Sequence, residues 1–303
     1  VNIQYQAAAY NMRSPAINFL PWRLKGMTKT AVTFHDLRIP YLFPKAGRLR
    51  RTAVNFMARQ AHGIIVTNRE DHQLLMANGQ LSIANIPIGS NIRTHERDEE
   101  RVTAVRQQLG LAVGDCLLGY FGFLNESKGA DTLVAALARL PERFHLAFIG
   151  GQTGASDSAN NRAYLAELKS QITAAGLDGR VHWTGFVDDE VVSAYLHAAD
   201  LMVMPYRDGA SLRRGTLMAV LAHGRPLITT APTIPATELI HAQNVWLIPP
   251  DDSTVLATAI EQVSVDNQLL QKLGAGAAES AGVFTWEKVA EKTAVYLKDL
   301  LVV

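Results

Sequence analysis

Three loops in this chain place glycine beside a cation or a hydroxyl where an apolar run gives way to a helical one. Holding an anion is the chemistry such loops do best. The first is Gly122-Phe-Leu-Asn-Glu-Ser-Lys-Gly129. Glycine lets backbone N–H groups approach a phosphate closely, and Lys128 adds a mobile positive charge. Taken alone, this loop is explained equally well as a plain strand-to-helix turn with a surface lysine. The second loop, Arg207-Asp-Gly-Ala-Ser-Leu-Arg-Arg-Gly215, runs into the apolar stretch Thr216–Gly224, which Gly224 and Pro226 stop. Arg213 and Arg214 therefore fall at the positive end of a helix, where each cation opposes the macrodipole by about 0.3–1 kcal/mol. A phosphate in the loop removes that cost, and arginine grips phosphate with two parallel hydrogen bonds. Compensation by Asp208 is the competing explanation, and the anion site is preferred. The third loop is Gly150-Gly-Gln-Thr-Gly154. It is weak by itself, but three such loops in one stretch point to a phosphorylated ligand.

The elements that must carry these loops are strands and helices in alternation. Ala31–Phe34, Gly63–Thr67 and Leu81–Ile86 are short apolar or β-branched runs, separated by helical stretches Arg48–Ala61 and Glu70–Asn78. The alternation restarts at Cys116–Phe121, His145–Ile149, Arg180–Trp183, Asp200–Met204 and Pro226–Thr230. Continuous apolar runs joined by crossover helices are the pattern of buried parallel strands. The fold class expected is α/β, with two doubly wound, Rossmann-like domains. The join lies in the charge run around Arg93–Arg101, read as a solvated linker or exposed helix start. The boundaries expected are 1–95, 96–280 and a terminal segment 281–303.

At 303 residues the chain has the length of two domains, and its net charge of +1 offers no global basic field for nucleic acid or an anionic membrane. Its single cysteine, Cys116, excludes an internal disulfide framework and suits a reducing compartment. No apolar run reaches the ~18 residues of a spanning helix. The expectation is a cytoplasmic protein. Phe19-Leu-Pro-Trp-Arg-Leu-Lys25 offers a peripheral membrane contact, and core packing of that aromatic segment is the preferred reading. Eight of the nine histidines show no ligand spacing, so no zinc or other metal is expected.

An ordered set of motifs resembles the donor-binding domain of retaining GT-B glycosyltransferases of the family 4 type. It comprises the Lys128-Gly129 loop, Phe148-Ile-Gly-Gly151, Val181-His-Trp-Thr-Gly-Phe-Val187, Ala199-Asp200 with Met204-Pro205, Asp208–Gly224, and Val245-Trp-Leu-Ile-Pro-Pro-Asp-Asp252. Upstream, Thr33-Phe-His-Asp36 and Ile86-Pro-Ile-Gly-Ser-Asn91 are similar to features of the acceptor domain. Phe284-Thr-Trp-Glu287 resembles the start of the last helix, which in that family packs back on the first domain.

The resemblance implies a sugar moved from a nucleoside diphosphate to an acceptor hydroxyl, without cofactor or metal. His35, Lys128 and Asp208 would be catalytic, with Lys128 binding the diphosphate, helped by N–H groups near Arg213 to Thr216; Gly122, Phe123, Gly129, Gly150, Ser211, Leu212, Arg213, Arg214, Gly215 and Thr216 would line the donor site. Asp208 and Thr216 occupy the two acidic positions of the family's Glu-x7-Glu motif, facing sugar and ribose respectively. Phe186 and Val187 would border the base, and His35 would reach the donor sugar across the interdomain cleft. His35 also has a plain reading as a core histidine. Phe123 stands where many relatives carry a diphosphate-binding arginine, and Thr216 replaces a glutamate. These departures keep two alternatives open: a non-catalytic nucleotide-sugar-binding or scaffold protein, and an epimerase of the same fold. The first domain has about four strands, and Val1–Tyr5 resembles one of its middle strands. It is therefore expected to be incomplete by something on the order of 60–90 residues, to be supplied by the native gene product or a partner segment.

Overall fold

A computed structural model describes residues 1–6, 9–10, 14–37, 47–77, 82–90, 92–151 and 159–302. The chain divides into two compact units, Val1–Gly89 with Phe284–Val303, and Ser90–Val283. In the first, β1 (Asn2–Gln6) leads through a 3-10 turn, Ala16–Phe19, and α1 (Leu20–Leu24) to β2 (Ala31–Asp36). Then follow α2 (Gly47–Gln60), β3 (Gly63–Val66), α3 (Arg69–Ala77) and β4 (Ile83–Asn85). The strands pair in parallel in the order β1-β2-β3-β4. Parallel neighbours require crossovers, and the helices that make them bury the apolar runs of β2 and β3. Ile3, Val32, Phe34, Met57, Ile64 and Val66 form the centre of this core.

The second unit holds α4 (Glu99–Gln108), β5 (Cys116–Phe121), a 3-10 turn at Glu126–Lys128 and α5 (Ala130–Leu137). It continues with β6 (Phe144–Ile149), α6 (Ala159–Ala174), β7 (Val181–Trp183), α7 (Asp189–Ala198), β8 (Leu201–Met204) and α8 (Gly215–Ala222). Last come β9 (Leu227–Thr230), β10 (Trp246–Ile248), α9 (Ser253–Val265) and α10 (Asn267–Ala281). Its parallel sheet has the order β10-β9-β8-β5-β6-β7. From β5 the chain builds outward to β6 and β7, then returns to β5's other side with β8. The order therefore reverses between β5 and β8, where doubly wound sheets open a crevice. The chain then rejoins the first unit as α11 (Trp286–Val302). There the Tyr296 hydroxyl accepts from the Ile64 N–H at 2.9 Å.

Two expectations need adjustment. The charge run is the exposed helix start, the second of its two expected readings, rather than a linker: α4 begins at Glu99. Asp98 caps α4 by accepting from the Glu100 and Arg101 N–H groups, the Arg93 N–H donates to Asp189, and Arg97 donates to the His197 carbonyl. These bonds draw it into the second unit, so the boundary falls after Gly89 rather than at 95. The aromatic segment 19–25 packs on the core only in part, through Leu20. Pro21 is buried, but Phe19 and Trp22 are 41% and 55% exposed. A helix this short turns one side inward and leaves the other in solvent. No helix among the described residues is long and apolar enough to cross a membrane.

Buried histidines make the second unit acid-sensitive. His223, at the C-terminus of α8, donates from Nδ1 to the Ala219 carbonyl at 2.7 Å and sits 2.8 Å from the Ser193 hydroxyl. Burial holds its pKa down at about 4, with His197 and Arg225 charges acting in the same direction. A histidine with a depressed native pKa stays neutral in the fold while the unfolded chain takes up a proton. Stability is therefore intact above about 6.5 and falls as the pH drops towards 4. Melting temperatures measured across that window should decline steadily, with His223 alone contributing roughly 3 kcal/mol. His223→Gln should flatten the decline, and an unchanged slope would remove His223 as its source.

Candidate functional site

The crevice between β5 and β8 is built by two loops that start at the ends of adjacent strands. After β5, Gly122 has φ +120° and Gly129 has φ +66°, both in the region that favours glycine. A Cβ on Gly129 would lie 2.1 Å from the Pro205 carbonyl oxygen, and one on Gly122 would lie 2.8 Å from Thr216 Cγ2. Glycine is what allows the loop after β5 to lie directly against the loop after β8.

Neither N-cap residue supplies a capping side chain: Gly129 precedes α5, where the Asp131 N–H instead donates to the Tyr164 hydroxyl at 3.2 Å, and Arg214 precedes α8. First-turn N–H groups have no partner within their own helix and carry the positive end of its dipole. Two such ends, from neighbouring strands, converge on the crevice. Lys128 lies there half-buried, and its amine is held near pKa 8 by burial, with Arg214's charge adding and Asp208 opposing. Arg214 stacks over the Tyr206 ring at 4.0 Å, and its Nε is buried without a hydrogen-bond partner among the described residues. The Tyr206 hydroxyl is 3.4 Å from Thr216 Oγ1.

The geometry also shows how the arginines are compensated. Arg214 pairs with Asp208, and Arg213 comes within 4.0 Å of the same carboxylate. Arg213 and Arg214 thus share the Asp208 carboxylate, whose charge also acts on Lys128. Ser211 and Leu212 form the half-buried turn closed by the Arg214 N–H donating to the Ser211 carbonyl at 3.1 Å.

Gly150 follows β6 with φ +102°, and a Cβ there would lie 3.9 Å from Gly122 Cα, which places this turn beside the first loop. The rest of the third glycine loop, 152–154, lies outside the described residues. Gly150 bridges to Gly185, which brings the turn holding Phe186 and Val187 towards the same edge. Phe186 is 85% exposed and Phe123 45%. His35 belongs to the first unit. It ends β2 half-buried, with Nε2 2.8 Å from Gln4 Oε1, and burial lowers its pKa.

Sequence reasoning assigned no role to Arg207. Its Nε donates to Asp251 at 2.7 Å and its guanidinium pairs with Asp131 and reaches Glu126 at 3.5 Å, while its backbone N–H donates to the Ser127 carbonyl. One side chain therefore ties both crevice loops to the loop after β10. Its partners lie far apart in the chain, so no local spacing could have revealed it.

The family model described as Glycosyl transferases group 1 matches residues 115–266, half of the chain. A D-inositol 3-phosphate glycosyltransferase of Jonesia denitrificans is 28% identical over 248 residues, covering 79% of this chain and 54% of the relative. A 2-deoxystreptamine N-acetyl-D-glucosaminyltransferase of Niallia circulans is 25% identical over 203 residues, covering 67% of this chain and 49% of the relative. This chain thus spans about half the length of the curated relatives it matches. Among solved structures, Anabaena HepE in complex with UDP and glucose aligns with a TM-score of 0.81 at 22% identity, covering 98% of this chain and 77% of that one. A sucrose-phosphate synthase from Thermosynechococcus elongatus aligns at 0.79 with 22% identity, covering 99% and 73%. Both share the α/β fold with parallel sheets.

Proposed function

The chain belongs to the group 1 glycosyl transferases, and on that footing we propose that it moves a sugar from a nucleoside diphosphate to an acceptor hydroxyl, with retention, in the manner of family 4. The observation that carries this reading is the convergence of two helix N-termini, Lys128 and Arg214 at the strand-order reversal. Charge grows on the diphosphate as the bond from the anomeric carbon to the leaving oxygen breaks. Fixed cations and helix dipoles at that point stabilise the transition state more than the ground state. The acceptor oxygen bonds the same carbon, and its proton passes to the departing phosphate. These cations stand in for a metal, so chelation by EDTA should leave turnover unchanged. His35 is proposed to contact the donor sugar, and Phe186 and Val187 the base. A UDP-sugar is the first donor to try, since the HepE structure is described as a complex with UDP and glucose.

Nuclear magnetic resonance of the products made from UDP-glucose tests the reaction directly. An α-glucoside would support retaining transfer, and a β-glucoside would overturn retention. Release of an altered nucleotide sugar would favour epimerisation, and unaltered donor with tight binding would favour a non-catalytic binder.

Thr216 gives a separate prediction. Its hydroxyl stands at the ribose position of the resembling motif, so Thr216→Val should weaken nucleotide binding by about 1 kcal/mol while leaving the fold intact. Calorimetry with UDP, GDP and ADP checks this. Equal affinities in both proteins would mean that the motif is aligned wrongly here.

A further inference from the structure

A guanidinium that already faces three carboxylates has little charge left for an anion. Arg207 is such a group. Its Nε meets Asp251 at 2.7 Å, one terminal nitrogen pairs with Asp131, and the other lies 3.5 Å from Glu126. The acids outnumber the cation, so a phosphate gains little by approaching it. These groups belong to separate elements. Arg207 follows β8, Glu126 starts the 3-10 turn after β5, Asp131 stands in the first turn of α5, and Asp251 follows β10. The Arg207 and Asp131 side chains are only 29% and 21% exposed, so solvent screens their pairing less than that of a surface pair.

The partners are themselves held. The Tyr164 hydroxyl of α6 donates to Asp131 at 2.7 Å, and the Arg207 backbone N–H donates to the Ser127 carbonyl at 2.9 Å. Main chain and side chain of Arg207 therefore both grip the loop after β5. Asp251 has φ +57°, in the left-handed region that glycine enters without cost. An acid on such a backbone, with its carboxylate on Arg207, points to that contact as the reason for the residue.

We propose that Arg207 is a positioning residue: through Glu126, Asp131 and Asp251 it sets the spacing of the loops that hold the diphosphate. The proposal rests on the reading of the crevice as a nucleoside-diphosphate site. Arg207 acts on the ligand through Lys128 and Gly129, which lie between Glu126 and Asp131 in the chain, and need not touch it. A lysine at this position keeps the charge, but its single ammonium lacks the fork that faces acids on several sides. The sign of one effect separates positioning from plain electrostatics. Removing a carboxylate from this cluster makes the unit less negative, which on charge alone favours an anion; losing the latch disfavours it.

Calorimetry with UDP, GDP and ADP, together with hydrogen exchange of the unliganded chain, tests this. Arg207→Met, Arg207→Lys and Asp251→Gly should each weaken diphosphate binding about tenfold, within the range for coupled neighbours. Asp251→Asn, which keeps an acceptor for the Arg207 Nε, should recover part of the loss. In the unliganded Arg207→Met and Asp251→Gly chains, amide exchange should rise about tenfold at residues 122–130 and 249–252 and stay unchanged in α2 and β3 of the first unit. Arg139→Gln, an exposed cation of the second unit, should alter neither readout. Circular dichroism and melting temperature confirm that each variant is folded. Tighter diphosphate binding in Asp251→Gly, or unchanged exchange in both variants, would overturn the proposal. A chain that binds no nucleotide while exchange rises as expected would overturn the diphosphate reading and keep the latch.

Discussion

Lys128→Ala should lower kcat by about 10²- to 10³-fold, the cost typical of removing one preorganised donor from a developing negative charge. The amine stands where both helix ends point, and no cation of the first unit is needed to explain its effect. Lys128→Met, which keeps the length and loses the charge, should behave the same way. The low pKa of this amine, about 8, adds a second signature. A bound diphosphate favours the charged form, so binding above pH 8 must draw a proton from solution, and affinity should fall as the pH rises further. Calorimetry in buffers of different ionisation enthalpy reads that proton directly. Full turnover in Lys128→Met would remove Lys128 from the mechanism.

Gly129→Ala should be the most damaging single methyl group in the second unit. Its Cβ would sit 2.1 Å from the Pro205 carbonyl oxygen, on a backbone with φ +66°. The oxygen belongs to main chain that is held in place by β8, so the clash can be relieved only by parting the two crevice loops. Gly110 is the matched control: its φ is +67°, and a Cβ there meets nothing within 4 Å. Gly110→Ala therefore reports left-handed backbone strain alone, about 1–2 kcal/mol. Gly129→Ala should cost that plus about 2–3 kcal/mol of overpacking and should lose nucleotide binding. Denaturant unfolding of the pair measures the difference. Equal losses of stability would mean that the loops are not packed as described.

What the sequence made legible follows from how local each signal is. β5 is six consecutive apolar residues buried along its whole length, and the residues read as strand match its observed span, Cys116–Phe121. The crevice loops were visible because glycine, lysine and a pair of arginines sit at strand ends. What was hidden depends on tertiary structure. Asp208 reaches Arg214 only because the loop between them folds back, and Arg207 collects acids from the loop after β5, the first turn of α5 and the loop after β10. The three-residue strand β10 is too short to show a period.

The central claim is that the crevice between β5 and β8 holds a nucleoside diphosphate. Calorimetric titration of the chain and of Lys128→Ala with UDP, GDP and ADP tests it most directly. The account predicts one site for at least one of the three, weakened about 10- to 100-fold in the variant by loss of a charge-assisted hydrogen bond. No binding of any of them, or equal binding in the variant, would contradict it.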